Sequence, residues 1–235
     1  MYAVGELVEL APGDARKLAV VLRRMAGDPL EVVDSSGRAF AAALATCDAR
    51  GATAALEREV STPAPVLLRI TLAQGIPKGQ KMDYVVEKAT ELGIARLLPF
   101  ASERTLGDTT RDGKVERWRR LARSAAQQSG RADVMEVVPP IAFAELLDQC
   151  GKYDLALVPW ELAGHIALRE RLPGLLAAKR TVCVVIGPEG GLSHEEARRA
   201  ETAGGHLISL GSRILRTETA GLVACAALLY ESGDL

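Results

Sequence analysis

Two segments in the last quarter of this 235-residue chain hold residues whose types and spacing can do chemistry. The first is Gly187-Pro188-Glu189-Gly190-Gly191, three glycines and a proline around one carboxylate. Glycine lets a backbone approach a ligand closely, and proline stiffens the turn. The order matches neither a GxGxxG dinucleotide fingerprint nor a Walker loop, because no Gly-Lys-Ser/Thr follows. The second is Leu210-Gly211-Ser212-Arg213-Ile214-Leu215-Arg216-Thr217-Glu218-Thr219-Ala220. It sets Arg213, Arg216 and Glu218 between an apolar strand and an apolar helix. Charges are costly to bury unless paired, so this cluster is either a ligand site or a structural ion pair. With Glu189 nearby, it would join two carboxylates to two guanidinium groups. A third segment, Val158-Pro159-Trp160-Glu161, also ends an apolar run. Residue types alone lead to a polar or anionic ligand at one sheet edge, against a plain glycine turn as the competing reading.

The elements that must position these residues fall into two styles. Residues 1 to about 60 hold short alternating runs at Leu7 to Leu10, Leu30 to Asp34, Arg38 to Ala45 and Ala54 to Val60, with one short helix near Asp14 to Met25. Period-two alternation and the Ser35-Ser36-Gly37 turn read as a small, mostly β domain. Ser61-Thr62-Pro63-Ala64-Pro65 reads as a linker, since prolines cannot donate to a sheet ladder. From Val66 onward, strand and helix alternate. Strands are expected at Val66 to Ala73, Arg96 to Phe100, Asp154 to Val158, Thr181 to Ile186 and His206 to Leu210. Helices are expected at Lys78 to Leu92, Val115 to Gly130, Ala142 to Cys150, Ser193 to Ala203 and Glu218 to Tyr230. Alternation of this kind implies an α/β fold, a parallel sheet with helices on both faces, and ligands at the carboxyl ends of its strands.

Composition narrows the classes. Apolar residues make up 48%, and no run approaches the roughly 20 residues of a membrane span. The opening residues lack a basic start followed by an apolar stretch, so a cytoplasmic protein is expected. Cys47, Cys150, Cys183 and Cys225 lie far apart, and His165, His194 and His206 lack ligand spacing, so no metal is expected. Net charge is −1, but Arg104 to Arg131 holds eight basic and three acidic residues. Such a stretch is either a solvated helix face or a patch that attracts phosphate backbones. Aromatic residues, at 4%, are too few for a base-stacking platform.

Ile186-Gly-Pro-Glu-Gly-Gly-Leu-Ser193, followed by Leu210-Gly-Ser-Arg-Ile-Leu-Arg-Thr-Glu-Thr-Ala220, resembles the 16S ribosomal RNA uracil-N3 methyltransferase family, of the SPOUT class of knotted methyltransferases. Lys78-Gly-Gln-Lys-Met-Asp83, Lys88-Ala-Thr-Glu-Leu-Gly93, Ser102-Glu-Arg-Thr105, Ala125-Ala-Gln-Gln-Ser-Gly-Arg131 and Val21-Leu-Arg-Arg-Met25 with Gly27-Asp28 extend the resemblance over nearly the whole chain. Departures are Lys17 in place of a common histidine, a missing arginine in the N-terminal arm, and Ser212 in place of proline.

The resemblance implies a PUA-like, RNA-binding β-barrel over 1–64. It implies a SPOUT methyltransferase domain over 65–235, with a deep trefoil knot at about 181–220, and a homodimer. It implies that S-adenosylmethionine is held by Val158, Pro159, Ile186, Gly187, Gly190, Gly191, Leu210, Gly211, Ile214, Leu215 and Thr217. The reaction would methylate a uridine at N3 in 16S ribosomal RNA, or in the assembled small subunit. Glu189 or Glu218 would take the N3 proton, and Arg213 and Arg216 would stabilise the developing charge. RNA contacts are expected at Arg23, Arg24, Lys78, Lys81, Arg104, Gln128 and Arg131. A ribose 2′-O methyltransferase of the same class, a noncatalytic RNA-binding assembly protein and a phosphate-ester hydrolase are the competing functions. Arg216-Thr-Glu-Thr-Ala220 stands where the 2′-O enzymes carry an Asn-Ser-Leu-Asn-Val-Ser-like run, and no Asp/His metal cluster supports a hydrolase.

Overall fold

The computed structural model describes residues 2–61, 67–105, 113–164 and 168–235. The chain divides into two compact units, Met1–Ala64 and Pro65–Leu235. Most of the linker reading falls on 62–66, outside the described residues. So do Asp108, Arg111 and Asp112 of the basic stretch, and His165.

The first unit is a four-stranded antiparallel sheet. Strands β1 (Leu7–Glu9), β2 (Pro29–Val33), β3 (Ala39–Cys47) and β4 (Ala52–Val60) pair in the order β1-β4-β3-β2. Alternation selects the buried face: Phe40, Ala42 and Leu44 of β3 and Ala52, Ala54 and Leu56 of β4 are buried. Register shifts at Ala41/Ala42 and Leu44/Thr46 bend this hairpin. The β2–β3 turn is built on Asp34, whose carboxylate accepts the Ser36 hydroxyl, the Ser36 and Arg38 backbone N–H groups and the Arg38 guanidinium. Hydrogen bonding, first from the Ser36 hydroxyl, holds Asp34 well below the usual carboxylate range despite the opposing effect of burial. The expected helix is shorter than its sequence range: α1 (Pro12–Arg16) passes into a π-helical turn, Lys17–Val21. Arg23 then takes φ +53°, which ends the helical path before Met25.

The second unit holds a seven-stranded sheet with helices on both faces. Its strands are β5 (Arg69–Gly75), β6 (Arg96–Ala101), β7 (Glu136–Val137), β8 (Ile141–Ala142), β9 (Leu155–Pro159), β10 (Thr181–Ile186) and β11 (Gly205–Ile208). The order is β11-β9-β10-β5-β6-β7, with β8 also on β6, and every pairing is parallel. Buried strands read as near-continuous apolar runs, and alternation deals them to two cores. Val182, Val184 and Ile186 of β10 join the core under α2 (Lys81–Glu91), α3 (Lys114–Ser129), α5 (Leu168–Leu176) and α7 (Thr217–Ser232). Cys183 and Val185 join the core under α4 (Phe143–Cys150) and α6 (His194–Thr202).

Several boundaries differ from the sequence reading. Helix α2 starts at Lys81 rather than Lys78, because Gly79 takes φ +66° and no helical turn includes it. Strand β11 stops at Ile208, leaving Ser209 and Leu210 to the following loop. Helix α5 and the two-residue strands β7 and β8 were not expected. Pro173 inside α5 masks its helical pattern, and two-residue strands carry no period to read. Strand starts are tied by side chains: Asp154 accepts the Arg180 and Thr181 N–H groups, and Asp234 accepts those of Leu67 and Leu68. Among the described residues, no helix is long and apolar enough to cross a membrane.

Candidate active site

The carboxyl ends of β5, β9, β10 and β11 are adjacent in the sheet, and their loops form the site. The loop after β10 is the tightest. A Cβ on Gly187 would lie 2.8 Å from the backbone of Gly191 and Leu192, and one on Gly75 would lie 2.6 Å from Pro188 N. Gly191 takes φ +67°, and a Cβ there would meet Glu161 Oε1 at 2.7 Å. The Pro188 carbonyl accepts the Gly191 N–H at 2.9 Å. After it, α6 opens on a capping box in which Ser193 and Glu196 bond each other's N–H groups. Trp160 joins the β9 loop to this one: its Nε1 donates to the Leu192 carbonyl, and its ring meets His194 edge-on.

A buried relay fixes the floor. Gln74, fully buried on β5, donates from Nε2 to Thr217 Oγ1 at 2.8 Å, and Thr217 Oγ1 donates to the Gly187 carbonyl at 2.6 Å. One hydroxyl thus links β5, the glycine loop and the first residue of α7. We expect Thr217→Val, which keeps the shape and removes the hydroxyl, to cost about 2 kcal/mol, since each buried polar group left unpaired costs about 1–3 kcal/mol. Urea unfolding should show a lower midpoint at unchanged slope. An unmoved midpoint would mean the relay is not holding the loops together.

The charged cluster forms, but with a different cation. Lys81, at the start of α2, places Nζ 3.2 Å from Glu189 Oε1 and 3.4 Å from Glu218 Oε2. Glu189 Oε1 also accepts the Lys78 N–H at 3.0 Å. Burial raises the Glu189 pKa, but its own N–H, the Lys78 N–H and Lys81 together bring it below the usual value. Glu218 is mostly buried, with its side chain 14% exposed. Its Oε2 has no hydrogen bond of good geometry. Arg213 and Arg216 are exposed and make no ion pair among the described residues, so the expected union of two guanidinium groups with two carboxylates does not occur. Lys81 takes their place because α2 packs against α7 in the same core. The sequence reading has Lys81 as an RNA contact within Lys78-Gly-Gln-Lys-Met-Asp83, and no pattern links residue 81 to residues 189 and 218.

The other expected RNA contacts lie in varied settings. Arg104 donates to the Gly190 carbonyl at 2.6 Å, and its stem covers that glycine. Arg131 is largely buried and donates to the Thr90 and Ile94 carbonyls, closing the end of α2. Lys78 and Gln128 are exposed. Arg23 and Arg24 follow the π-helical turn of the first unit, where Arg24 lies 3.9 Å from Asp28.

Beside the cluster is an open cavity of about 140 Å³, lined by Pro159, Trp160 and Glu161 and by Ser209 to Leu215 with Ala220. It holds five of the residues expected at a cofactor: Pro159, Leu210, Gly211, Ile214 and Leu215. Val158, Ile186 and Thr217 are buried behind the loops, and Gly187, Gly190 and Gly191 form the neighbouring loop. Apolar side chains, exposed loop backbone and the Glu161 carboxylate suit a nucleoside with a polar tail. The cavity is smaller than the roughly 300 Å³ of a closed small-molecule pocket, and Ile214 on its rim is 88% exposed, so such a ligand would extend past this rim. Among the described residues, no group of three or more His, Cys, Asp or Glu could hold a metal ion.

The model of the RNA methyltransferase domain matches residues 63–229. The ribosomal RNA small subunit methyltransferase E of Bacillus subtilis is 36% identical over 171 residues, 70% of this chain and 67% of that protein. Its counterpart in Synechocystis is 33% identical over 227 residues, 94% of this chain and 72% of that one. The crystal structure of a ribosomal RNA small subunit methyltransferase E from Neisseria gonorrhoeae bound to S-adenosyl methionine superposes with a TM-score of 0.88. It is 32% identical, with 98% of this chain and 94% of that chain covered. Loops at the carboxyl edge of a parallel sheet, a cleft between two of them and these relationships agree: the chain belongs to the ribosomal RNA small subunit methyltransferase E family of RNA methyltransferases.

Proposed function

We propose that this S-adenosylmethionine-dependent ribosomal RNA methyltransferase places its methyl group on N3 of a uridine in the 16S RNA of the small ribosomal subunit. The observation that carries the reading is the Glu218 carboxylate in the first turn of α7, largely buried and paired with Lys81, two residues before Ala220 of the loop-lined cleft. The cofactor, when bound there, supplies a methyl group on a sulfonium. N3 of uridine carries a proton and is a weak nucleophile until that proton leaves, so the protein must place a base against it. Glu218 is that base. Glu189, held by Lys78 and Lys81, fixes the glycine loop to the loop before α2 instead. Arg213 and Arg216, exposed on the rim, are free to meet charge on the uracil oxygens or on a neighbouring phosphate. Pro159, Leu210, Gly211, Ile214 and Leu215 line the cofactor cleft, and Val158, Ile186, Gly187, Gly190, Gly191 and Thr217 shape it.

The finer architecture belongs to this proposal. A trefoil knot at about 181–220 is supported by the path of the chain: β11 lies at one sheet edge, yet α7 returns over β10 and β5, and Thr217 reaches Gly187. A homodimer is supported by α7, which is apolar all round and exposes Val223 and Tyr230 on one face. The first unit is read as a PUA-like RNA-binding barrel, with Arg23 and Arg24 as phosphate contacts. Lys78, Arg104 and Gln128 are further RNA candidates, while the buried setting of Arg131 favours a structural role. The compartment is the cytoplasm, where ribosomal subunits are made.

Incubating the purified protein with S-adenosylmethionine and undermethylated 16S RNA or small subunits, then mapping the product by mass spectrometry, tests the function. A methyl on N3 of one uridine is expected. A methyl on a ribose oxygen would favour the 2′-O reading, and no transfer to either substrate would favour an assembly protein. For the RNA surface, Arg23→Gln and Arg24→Gln are each expected to weaken binding across sequences and to reduce the slope of log affinity against log salt by about 1. An unchanged slope removes that residue from the footprint.

A further inference from the structure

Val158-Pro159-Trp160-Glu161 supplies two apolar positions to the reading above, but its carboxylate has no assigned role. The charged residues that line the cleft are Glu161, on the loop after β9, and Arg213, on the loop after β11. Three hydrogen bonds pin the loop that carries Glu161. The Trp160 N–H donates to the Ile208 carbonyl at 2.9 Å, and the Ala163 N–H donates to the Trp160 carbonyl at 3.1 Å, closing a turn around Glu161. The Trp160 indole donates to the Leu192 carbonyl at 3.3 Å. The carboxylate then rests on the glycine loop. Its Oε1 lies 2.7 Å and its Oε2 3.2 Å from the position a Gly191 Cβ would take, space that only glycine leaves open. Glu161 is exposed, and among the described residues it makes no hydrogen bond or ion pair. An anion thus stands in the cleft wall on a pinned turn, with no cation of its own.

A carboxylate in that setting suits a cationic donor. A neutral diol could also bond to it, but hydrogen bonds between charged groups are roughly twice as strong as neutral ones. S-adenosylmethionine carries two cations, the sulfonium and the α-ammonium. The sulfonium has no N–H or O–H to donate, and a carboxylate set against its methyl group would compete with the RNA for that methyl. The ammonium has three donors. Resting on the reading of this cleft as the cofactor site, we propose that Glu161 is the receptor for the α-ammonium of S-adenosylmethionine and sets the amino-acid end of the cofactor against the β9 loop. Arg213, the other charged lining residue, would repel an ammonium, which leaves Glu161 as the lining group that fits it. Glu161 is thereby a specificity residue. It favours adenosyl ligands with an amino-acid end over adenine nucleotides, whose phosphates would meet its negative charge. Because the sulfonium is not part of the contact, it holds S-adenosylmethionine and the demethylated S-adenosylhomocysteine alike.

A ligand–variant cycle tests this by calorimetry on the full chain. Glu161→Gln keeps the volume and one acceptor and removes the charge. Affinity is measured for wild type and variant with S-adenosylmethionine, with S-adenosylhomocysteine and with the deamino analogue of the latter, in which hydrogen replaces the α-amino group. The first two are expected to bind Glu161→Gln about 10-fold more weakly than wild type. That is the lower end of the range for a hydrogen bond to a charged group, because Glu161 is exposed and water screens it. The deamino analogue should bind both proteins alike. A loss for S-adenosylmethionine alone would assign Glu161 to the sulfonium. An equal loss for all three would assign it to the ribose or to the shape of the loop, and no loss would give it no part in binding. Each of these overturns the proposal. Where Glu161→Gln fails to fold, the wild type decides: a deamino analogue that binds as tightly as S-adenosylhomocysteine refutes the contact. A wild type that binds no S-adenosylmethionine would sink the functional reading and the proposal with it, and that failure is read before any comparison of ligands.

Discussion

Replacing Glu218 with glutamine is expected to slow methyl transfer by about 10²- to 10⁴-fold, the usual contribution of a positioned general base. The amide keeps the volume and can still accept at Oε1, so the first turn of α7 and the packing against α2 should persist. Cofactor binding and the urea midpoint should stay near wild type. The residual rate should rise with pH toward the point where uridine N3 ionises by itself, because the variant must then wait for the substrate to lose its own proton. Glu189→Gln makes the contrast. Its carboxylate accepts the Lys78 N–H and pairs with Lys81, so its loss should loosen the glycine loop and weaken cofactor binding more than it slows chemistry. Folded Glu218→Gln enzyme working at the wild-type rate would remove Glu218 as the base.

Much of this site was legible in the sequence because two signals are local. Glycines crowded around a proline require a tight loop wherever they occur, and the structure shows the Cβ-excluding contacts at Gly187 and Gly191. Ser193 and Glu196 announce a capping box three residues apart, and both of its hydrogen bonds form. The α/β alternation was equally plain, since Thr181 to Ile186 is buried on both faces and reads as a continuous apolar run.

What sequence could not supply is pairing across distance. Lys81, Glu189 and Glu218 meet although more than 100 residues separate the first two. Nothing in the spacing chooses Lys81 over Arg213 or Arg216 as their cation. The choice follows from strand order: β10 inserts beside β5, and α2 and α7 pack on the same face of both. Arg131 shows the reverse error. In a run rich in positive charge it looks like a phosphate contact, but its guanidinium is engaged by the Thr90 and Ile94 carbonyls and by Asp133. Charge counting has no means of telling a solvated arginine from one that closes a helix end.

Gly187→Ala should do the greatest damage to cofactor binding. Its Cβ would lie 2.8 Å from two backbone atoms, Gly191 C and Leu192 N, neither of which is the end of a flexible side chain. Relief requires the loop to open, and the carbonyl of residue 187 is the one that receives the Thr217 hydroxyl, so the start of α7 would move as well. Overpacking of this kind costs about 1–3 kcal/mol in stability. A displacement near 1 Å at a site that must hold two reactants costs on the order of 100-fold in activity. The affinity for S-adenosylmethionine, measured by calorimetry, is expected to fall by at least a similar factor. Two neighbouring glycines set the scale. Gly211 has φ +115° but open space around it, so Gly211→Ala carries backbone strain alone, about 1–2 kcal/mol. Gly190 would meet only the Arg104 stem at 3.2 Å, a side chain able to shift, so Gly190→Ala should be the mildest. The ranking matters more than any one value, because it separates a loop whose shape holds the cofactor from a loop that merely connects two elements. If all three alanine variants bind alike, the backbone of this loop does not shape the cofactor site.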